Sequence, residues 1–305
     1  MSEGMVAVTG GTGFVGQAVL DGLAAKGIKA KALARKVPED RPEVQWVQGS
    51  LSDNAALADL VSGTDAVIHI AGLTNTPDPA NFTAANVDGT AAVIAAAKAA
   101  KVKRFVFVSS LSARKPDLSR YGASKLAAEE LVMGSGLNWT MVRPPAVYGP
   151  RDNDMLELFK AARWGVIPMP PSGATSMIHV DDLAELLIAL IPSSPKTRRR
   201  MFEPDDGREG GWSHQEMAKA IGTAMGRNPF VAQLPKPVLD MAARTDRLMR
   251  GDAAKLTADR VGYMCHPNWV ARSDKAVPAD IWQPSIETHK GLKSTAEWYQ
   301  ANNWL

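Results

Sequence analysis

The sequence predicts an α/β fold: a doubly wound parallel sheet with a smaller, mostly helical C-terminal lobe. Three observations predict it. Short apolar runs alternate with segments of helical spacing through the first 150 residues, as in strand–helix–strand crossovers. The first run ends in glycines that open a helix. Beyond residue 150 the alternation fades, and the irregular segments from about residue 201 onward hold five of the eight tryptophans, at 212, 269, 282, 298 and 304. A chain of 305 residues suits about two domains. We assign residues 1–150 to a first domain and 151–305 mainly to a second lobe expected to bind the substrate, with about 177–200 returning to the first.

In order, residues 5–9 read as a buried strand. Residues 14–26 form a helix with Val15, Val19, Leu20 and Leu23 on one face, stopped by Gly27. Strands follow at 28–34, 44–48 and 66–70, with a short helix over 54–61 behind the capping residues Ser52 and Asp53. An alanine-rich helix spans 81–101. A strand at 105–108 leads into Ser109-Ser110, a helix covers 121–133, and a strand at 139–143 is halted by Pro144-Pro145. Later come a helix at 155–163, a strand at 177–180 and a helix behind Asp181-Asp182. Residues 235–250 set Val238, Leu239, Met241, Leu248 and Met249 against Arg244, Arg247 and Arg250. That helix is read as packing on the core rather than touching a membrane surface.

Composition excludes several classes. The apolar and charged fractions, 45% and 22%, are ordinary. A formal charge of +3 gives no reason to expect nucleic acid or an anionic membrane as the main partner. The basic run Lys196-Thr-Arg-Arg-Arg200 is read as a solvated loop, since no aromatic residues interleave it. No apolar stretch reaches the roughly 18 residues of a membrane span. The opening Met-Ser-Glu-Gly lacks the basic and cleavage regions of a signal peptide. Cys265 is the single cysteine, which forbids an intrachain disulfide and fits a reducing, cytoplasmic setting. With His266 alone beside it, no metal site is expected.

The glycine cluster Thr9-Gly10-Gly11-Thr12-Gly13-Phe14-Val15-Gly16 sits between a strand and a helix. Gly10 permits a tight turn, Gly13 close approach of backbone to a pyrophosphate, and Gly16 close helix packing. The free N–H groups of the helix start then face the phosphates. This is a Rossmann-type dinucleotide cradle. An acid at the end of the second strand would select NAD, but Ala34-Arg35-Lys36 stands there. Arg35 can fork onto a ribose 2′-phosphate and Lys36 can add charge, so NADP(H) is preferred over NAD.

Tyr121 and Lys125 stand four apart on a predicted helix and share a face. A neighbouring ammonium is expected to favour the phenolate and lower the Tyr pKa from about 10. Tyr121 then serves as acid or base toward a carbonyl or alcohol oxygen, with Ser110 bonding the same oxygen.

Together these motifs resemble the extended short-chain dehydrogenase/reductase family over most of the chain. Also carrying the resemblance are His69-Ile-Ala-Gly72, Asn86-Val-Asp-Gly-Thr90, Val108-Ser-Ser110, Arg143-Pro-Pro-Ala-Val-Tyr-Gly-Pro150 and His179-Val-Asp-Asp182. The resemblance implies Tyr121 as acid/base, Lys125 on the nicotinamide ribose, Ser110 on the substrate oxygen and Asn86 supporting the active-site helix. It implies cofactor contacts from Gly10, Thr12, Gly13, Phe14, Val15, Gly16, Arg35, Lys36, Ser50, Leu51, Ala71, Gly72, Leu73, Val108, Pro144 and Val147. Thr74, Ser112 and Arg151 are candidate substrate contacts.

Departures exist. Gly49-Ser50-Leu51 replaces the family's frequent Gly-Asp-Leu, and only ten residues separate Ser110 from Tyr121. The expectation is an NADP(H)-dependent oxidoreductase interconverting a ketone or aldehyde and an alcohol. A sugar-nucleotide epimerase or dehydratase holding NAD, and a non-catalytic dinucleotide sensor or scaffold, remain alternatives. Small residues on the helices near 84–101 and 121–133 (Ala91, Ala92, Ala95, Ala96, Ala127, Ala128) suggest a homodimer through them.

Overall fold

The computed structural model describes residues 4–305. Residues 1–3, part of the N-terminal reading above, lie outside the described residues. β1 (Val6–Thr9) is buried at every position, as a strand covered on both faces must be. α1 (Phe14–Ala25) buries Gly16, Ala18, Val19, Leu20 and Leu23. β2 (Ala30–Ala34) and β3 (Val44–Gln48) follow. Asp53 caps α2 (Asn54–Val61) by accepting the N–H groups of Ala55 and Ala56. β4 (Ala66–His69) comes next.

The long helix expected over 81–101 is instead three pieces: α3 (Ala80–Phe82), a π turn (Thr83–Asp88) and α4 (Gly89–Ala99). The wider turn holds Asn86, which is buried; such turns gather at functional sites. β5 (Arg104–Val108), α5 (Arg120–Gly134) and β6 (Trp139–Val142) complete the alternation.

β7 (Ala146–Tyr148), α6 (Leu156–Arg163), β8 (Val166–Met169), β9 (Ala174–Thr175), β10 (Met177–His179), α7 (Val180–Ala189) and β11 (Arg200–Phe202) then weave between the two parts. β12 (Trp212–Ser213), α8 (His214–Ala224), β13 (Phe230–Gln233), α9 (Lys236–Arg250), α10 (Ala258–Met264), β14 (Asn268–Trp269) and α11 (Thr288–Ala301) finish the chain.

The main sheet has seven strands in the order β11-β6-β5-β4-β1-β2-β3, and every pairing is parallel. The order reverses between β1 and β4, where such sheets leave a crevice at their carboxyl ends. The basic run is not wholly a solvated loop. Arg200 begins β11, in register with Thr140 of β6, and Lys196 pairs with Asp280 at 2.6 Å. The expected strand at 177–180 is β10, and it pairs with β7 outside the main sheet. α7 lies against α1 and shares its apolar cluster, so this stretch does pack on the sheet.

α9 departs from its reading as a core helix. Only Leu239 and Ala243 are buried, while Val238, Met241, Leu248 and Met249 face outward. No helix among the described residues is long and apolar enough to cross a membrane. Nor do the described residues hold a group of three His, Cys, Asp or Glu arranged for a metal. Cys265 is half-buried, and burial pushes its thiol pKa up.

Candidate active site

The glycine loop reverses at Gly10, whose φ is +77°. A Cβ there would stand 2.8 Å from the Ala71 nitrogen. A Cβ on Gly16 would overlap the Gly10 carbonyl. The Gly13 N–H donates to that carbonyl at 2.9 Å and closes the turn. α1 starts at Gly13 with no side chain capping it and no acid in its first turn. Its end N–H groups and the positive end of its dipole are thus left for an anion.

Behind the loop runs a directional chain of buried hydrogen bonds. The Ile70 and Ala71 N–H groups donate to Thr9 Oγ1, each at 3.2 Å. The Thr9 hydroxyl therefore gives its proton to His69 Nδ1, 2.6 Å away. His69 then carries its own proton on Nε2 and donates to Thr90 Oγ1 at 3.0 Å, and Thr90 donates to the Asn86 carbonyl at 2.6 Å. Burial, aided by Lys125, lowers the His69 pKa to about 3. His69 is a neutral joint, not an acid or base.

Asn86 carries the chain onward. Its Oδ1 accepts the Leu73 N–H at 2.7 Å, and its Nδ2 donates to the Leu73 carbonyl at 3.0 Å. The same Nδ2 donates to Ser124 Oγ at 2.9 Å, and Ser124 donates to the Tyr121 carbonyl at 2.8 Å. One side chain thus ties the segment after β4 to the first turn of α5.

On α5, Tyr121 and Lys125 are both buried. Lys125 Nζ donates to the Val108 carbonyl at 2.8 Å and stands 4.8 Å from the centre of the Phe107 ring. Burial lowers its pKa to about 8, against a raising effect of Glu129. Ser110, at the end of β5, accepts from the Ser112 N–H at 3.2 Å and its hydroxyl at 3.0 Å.

The Tyr121 pKa is raised rather than lowered. Burial dominates, and hydrogen bonds to Ser110 and Ser112 only partly oppose it. The expected depression by Lys125 is therefore corrected: burial disfavours the charged phenolate, and Lys125 is not among the groups that lower the value. Burial thus favours the neutral phenol.

The second lobe lines the site, and the α10 residues through which it does so were not named from the sequence. Asp259, from α10, accepts the Arg120 N–H at 2.5 Å and the Tyr121 N–H at 3.2 Å. Its charge complements the positive end of the α5 dipole. A Cβ on Gly262 would overlap the Leu118 carbonyl, so α10 lies directly on the turn before α5. The Tyr263 and Tyr121 rings stand 5.8 Å apart. The signal was present in Thr257-Ala-Asp-Arg260, where Thr257 Oγ1 accepts the Arg260 N–H at 3.2 Å and caps α10.

These parts enclose one cavity of about 1100 Å³. Its walls include Gly10, Thr12, Gly13, Phe14, Val15, Gly16, Arg35, Ser50, Leu51, Ala71, Gly72, Leu73, Thr74, Val108, Ser110, Ser112, Tyr121, Lys125, Pro144 and Val147. Lys36 does not line it, and Asn86 acts from behind the Leu73 backbone. Arg151 is a correction. It lies off the cavity at φ +73°, in an ion pair with Asp21 at 2.8 Å. The far wall is supplied by Met155, Leu158, Pro168, Met169, Pro170, Met217, Tyr263, Met264 and Trp269, with Arg260 and Asp154 paired at 2.9 Å. Arg35 is exposed and makes no ion pair among the described residues.

Known proteins resemble this chain over most of its length. A family model described as NAD(P)H-binding matches residues 10–193. The chain is similar to the ceramide reductase of Caulobacter vibrioides, with 34% identity over 314 residues covering 100% of this chain and 97% of the relative. It is also similar to a 4-hydroxy-2-methyl-3-oxo-4-farnesyl-3,4-dihydroquinoline-1-oxide ketoreductase of Stigmatella aurantiaca, at 32% identity over 62% of this chain and 64% of that one. Among solved structures, MoeE5 in complex with UDP-glucose and NAD superposes with a TM-score of 0.74 at 22% identity, over 98% of this chain and 99% of its own. That last likeness speaks for the fold alone.

Proposed function

The chain belongs to the NAD(P)H-binding, extended short-chain dehydrogenase/reductase family, and on that premise we propose that it is an NADP(H)-dependent reductase of ketones borne on long apolar chains. One observation carries the reading: the Ser110–Tyr121–Lys125 group opens into the same cavity whose far wall is methionine, leucine, proline and aromatic side chains. Such a wall gains by covering apolar surface, and of the charged groups beside it Arg260 and Asp154 are paired with each other. The two relatives named as reductases act, by their names, on a ceramide and on a farnesyl-bearing ring system, which supports a lipid-like substrate.

The residues present fit a dinucleotide. Gly10 and Gly16 keep the cradle clear, the α1 N-terminus takes the pyrophosphate, and Arg35 meets a 2′-phosphate. When bound, NADPH supplies the hydride that reduces the carbonyl carbon. Tyr121, kept protonated by burial, gives its phenolic proton to the carbonyl oxygen as negative charge builds there. Ser110 donates a hydrogen bond to the same oxygen and fixes its position. Lys125, in its charged form, holds the ribose and stabilises the phenolate left on Tyr121. Asn86 keeps Leu73 and α5 in register and is a positioning residue.

The test is NADPH consumption with an amphiphilic long-chain ketone. We expect turnover with NADPH well above that with NADH, and Tyr121→Phe should lower kcat by about 100-fold or more while still binding NADPH. Undiminished turnover in that variant sinks the mechanism. NAD that stays bound through purification, with no net NADPH oxidation, points to the epimerase-type alternative. We further place a homodimer along α4 and α5, where Ala91, Ala95, Leu131 and Met133 remain exposed. A monomeric mass by light scattering at micromolar concentration removes it.

A further inference from the structure

We propose that α9 is a docking surface for an anionic lipid bilayer. The helix turns its apolar residues two ways. Leu239 and Ala243 seat it on Val261 and its neighbours. At 100° per residue, Val238, Met241, Leu248 and Met249 fall on the opposite face. Leu248 is 86% exposed, Met249 80% and Met241 64%. A folded chain does not ordinarily leave three such side chains open on one helix face.

Charge names the occupant. Residues 227–255 hold six basic and three acidic side chains, a net of +3, equal to the net charge of the whole chain. Lys236, Arg247, Arg250 and Lys255 pair with Asp240, Asp252, Asp246 and Glu157, whereas Arg227 and Arg244 have no ion-pair partner among the described residues. Arg244 stands three residues after Met241 and four before Leu248, so it borders the apolar face. An apolar stripe flanked by arginines matches acyl chains below a negative headgroup layer. A second apolar corner precedes the helix. Trp164 and Phe230 are 87% and 70% exposed, and the Phe230 N–H donates to the carbonyl of Gly165, the residue after Trp164, at 2.8 Å.

The position has a consequence for substrate supply. β13 leads into α9 through Leu234, whose N–H donates to the Met169 carbonyl at 2.8 Å, and Met169 lines the cavity. A bilayer held by α9 is linked through β13 to the cavity wall that carries Met169. The contact itself stands apart from the reductase reading.

Flotation of the full chain with vesicles tests it, using phosphatidylcholine alone against phosphatidylcholine mixed with phosphatidylglycerol. The protein should float with the anionic vesicles and be released by salt. Arg244→Ala should weaken partitioning by about fivefold, the worth of one basic residue at such a surface. The double variant L248E/M249E should abolish flotation, while its melting temperature and its turnover of a short soluble ketone stay those of the parent. Failure of the parent to float, or equal flotation of the double variant, overturns the proposal. So does a two-chain mass in light scattering that L248E/M249E reduces to one, because the face then serves a second copy. Tyr121→Phe should float like the parent, so loss of turnover and loss of docking are read separately.

Discussion

The two walls of the cavity are built by different physics. The dinucleotide side is held by directed bonds. From Ile70 through Thr9, His69, Thr90 and Asn86 to Ser124 and Tyr121, each buried polar group has a partner, and few donors can be reassigned. The far side is held by apolar contact, with Met155, Met169, Met217 and Met264 around the space. Methionine adapts its shape where a hydrogen-bond chain cannot. A rigid wall suits a cofactor of fixed geometry, and a compliant one suits apolar chains of differing length. Asp259 and Gly262 join the walls at the start of α5.

Breaking the rigid wall should cost most. Gly16→Val places a branched side chain where even a Cβ overlaps the Gly10 carbonyl. NADPH binding by fluorescence should fall below detection, with the circular dichroism of the fold retained; near-parent affinity would mean the loop is not the cradle. Asn86→Ala strands the Leu73 N–H and carbonyl, while Ser124 keeps its bond to the Tyr121 carbonyl. An unpartnered buried group costs about 1–3 kcal/mol, so denaturant unfolding should register a loss of that order. The kcat should fall with it while KM for NADPH changes little. A variant of parental stability and rate would remove Asn86 from the positioning chain.

Much of the rigid wall was legible in sequence, and for a physical reason. The Thr9–Gly16 loop, the Tyr121–Lys125 spacing and the serines ending β5 are local patterns, each set by one turn of backbone. The π turn was not legible, because one residue beyond a regular α-turn leaves the alanine-rich spacing of 81–101 almost unchanged. β11 escaped because Arg200-Met-Phe is too short and too basic to read as a strand, yet the β6 edge accepts it. Arg151 looked near the cleft by chain distance, but its positive φ and Asp21 carry it away. The roles of Asp259, Gly262 and Tyr263 depend on contacts across more than 130 residues, which no local pattern encodes.

The cofactor's adenosine end gives a milder break. Arg35→Ala removes a charge-assisted bond worth about 1.5–3 kcal/mol. NADPH should bind roughly 10- to 100-fold more weakly by that measure, with NADH affinity unchanged. Equal losses for both dinucleotides would place Arg35 away from the 2′-phosphate.

A pH profile probes the rigid wall without mutation. Lys125 titrates at about 8 when folded, below its ordinary 10.5. Its ammonium is therefore present at neutral pH and lost as pH rises through about 8. The kcat/KM of the free enzyme should decline above that point, by up to about tenfold per unit. Tyr121, pushed upward, adds no break of its own there. Stability moves the opposite way. Between about 8 and 10.5 the unfolded chain binds the proton that the folded chain has released, so unfolding free energy rises with pH across that window. A rate that stays flat to pH 10 would mean that Lys125 is not needed in its charged form.

The compliant wall should respond least, and that small response is informative. Met169 is buried at 2% exposure in β8 and lines the cavity. Met169→Leu nearly conserves volume, and such swaps usually cost less than about 1.5 kcal/mol. NADPH affinity should not move, because Met169 belongs to the far wall. Branching at Cγ replaces an unbranched thioether, so the space can no longer reshape as freely for chains of different length. Across a series of ketones differing only in chain length, kcat/KM should keep its maximum for one length and fall more steeply on either side than in the parent. A change of one methylene in an apolar pocket is worth about 1–3 kcal/mol, which sets the scale of the sharpening. If NADPH affinity drops while the length preference is untouched, the division between a rigid cofactor wall and a compliant substrate wall is wrong at β8.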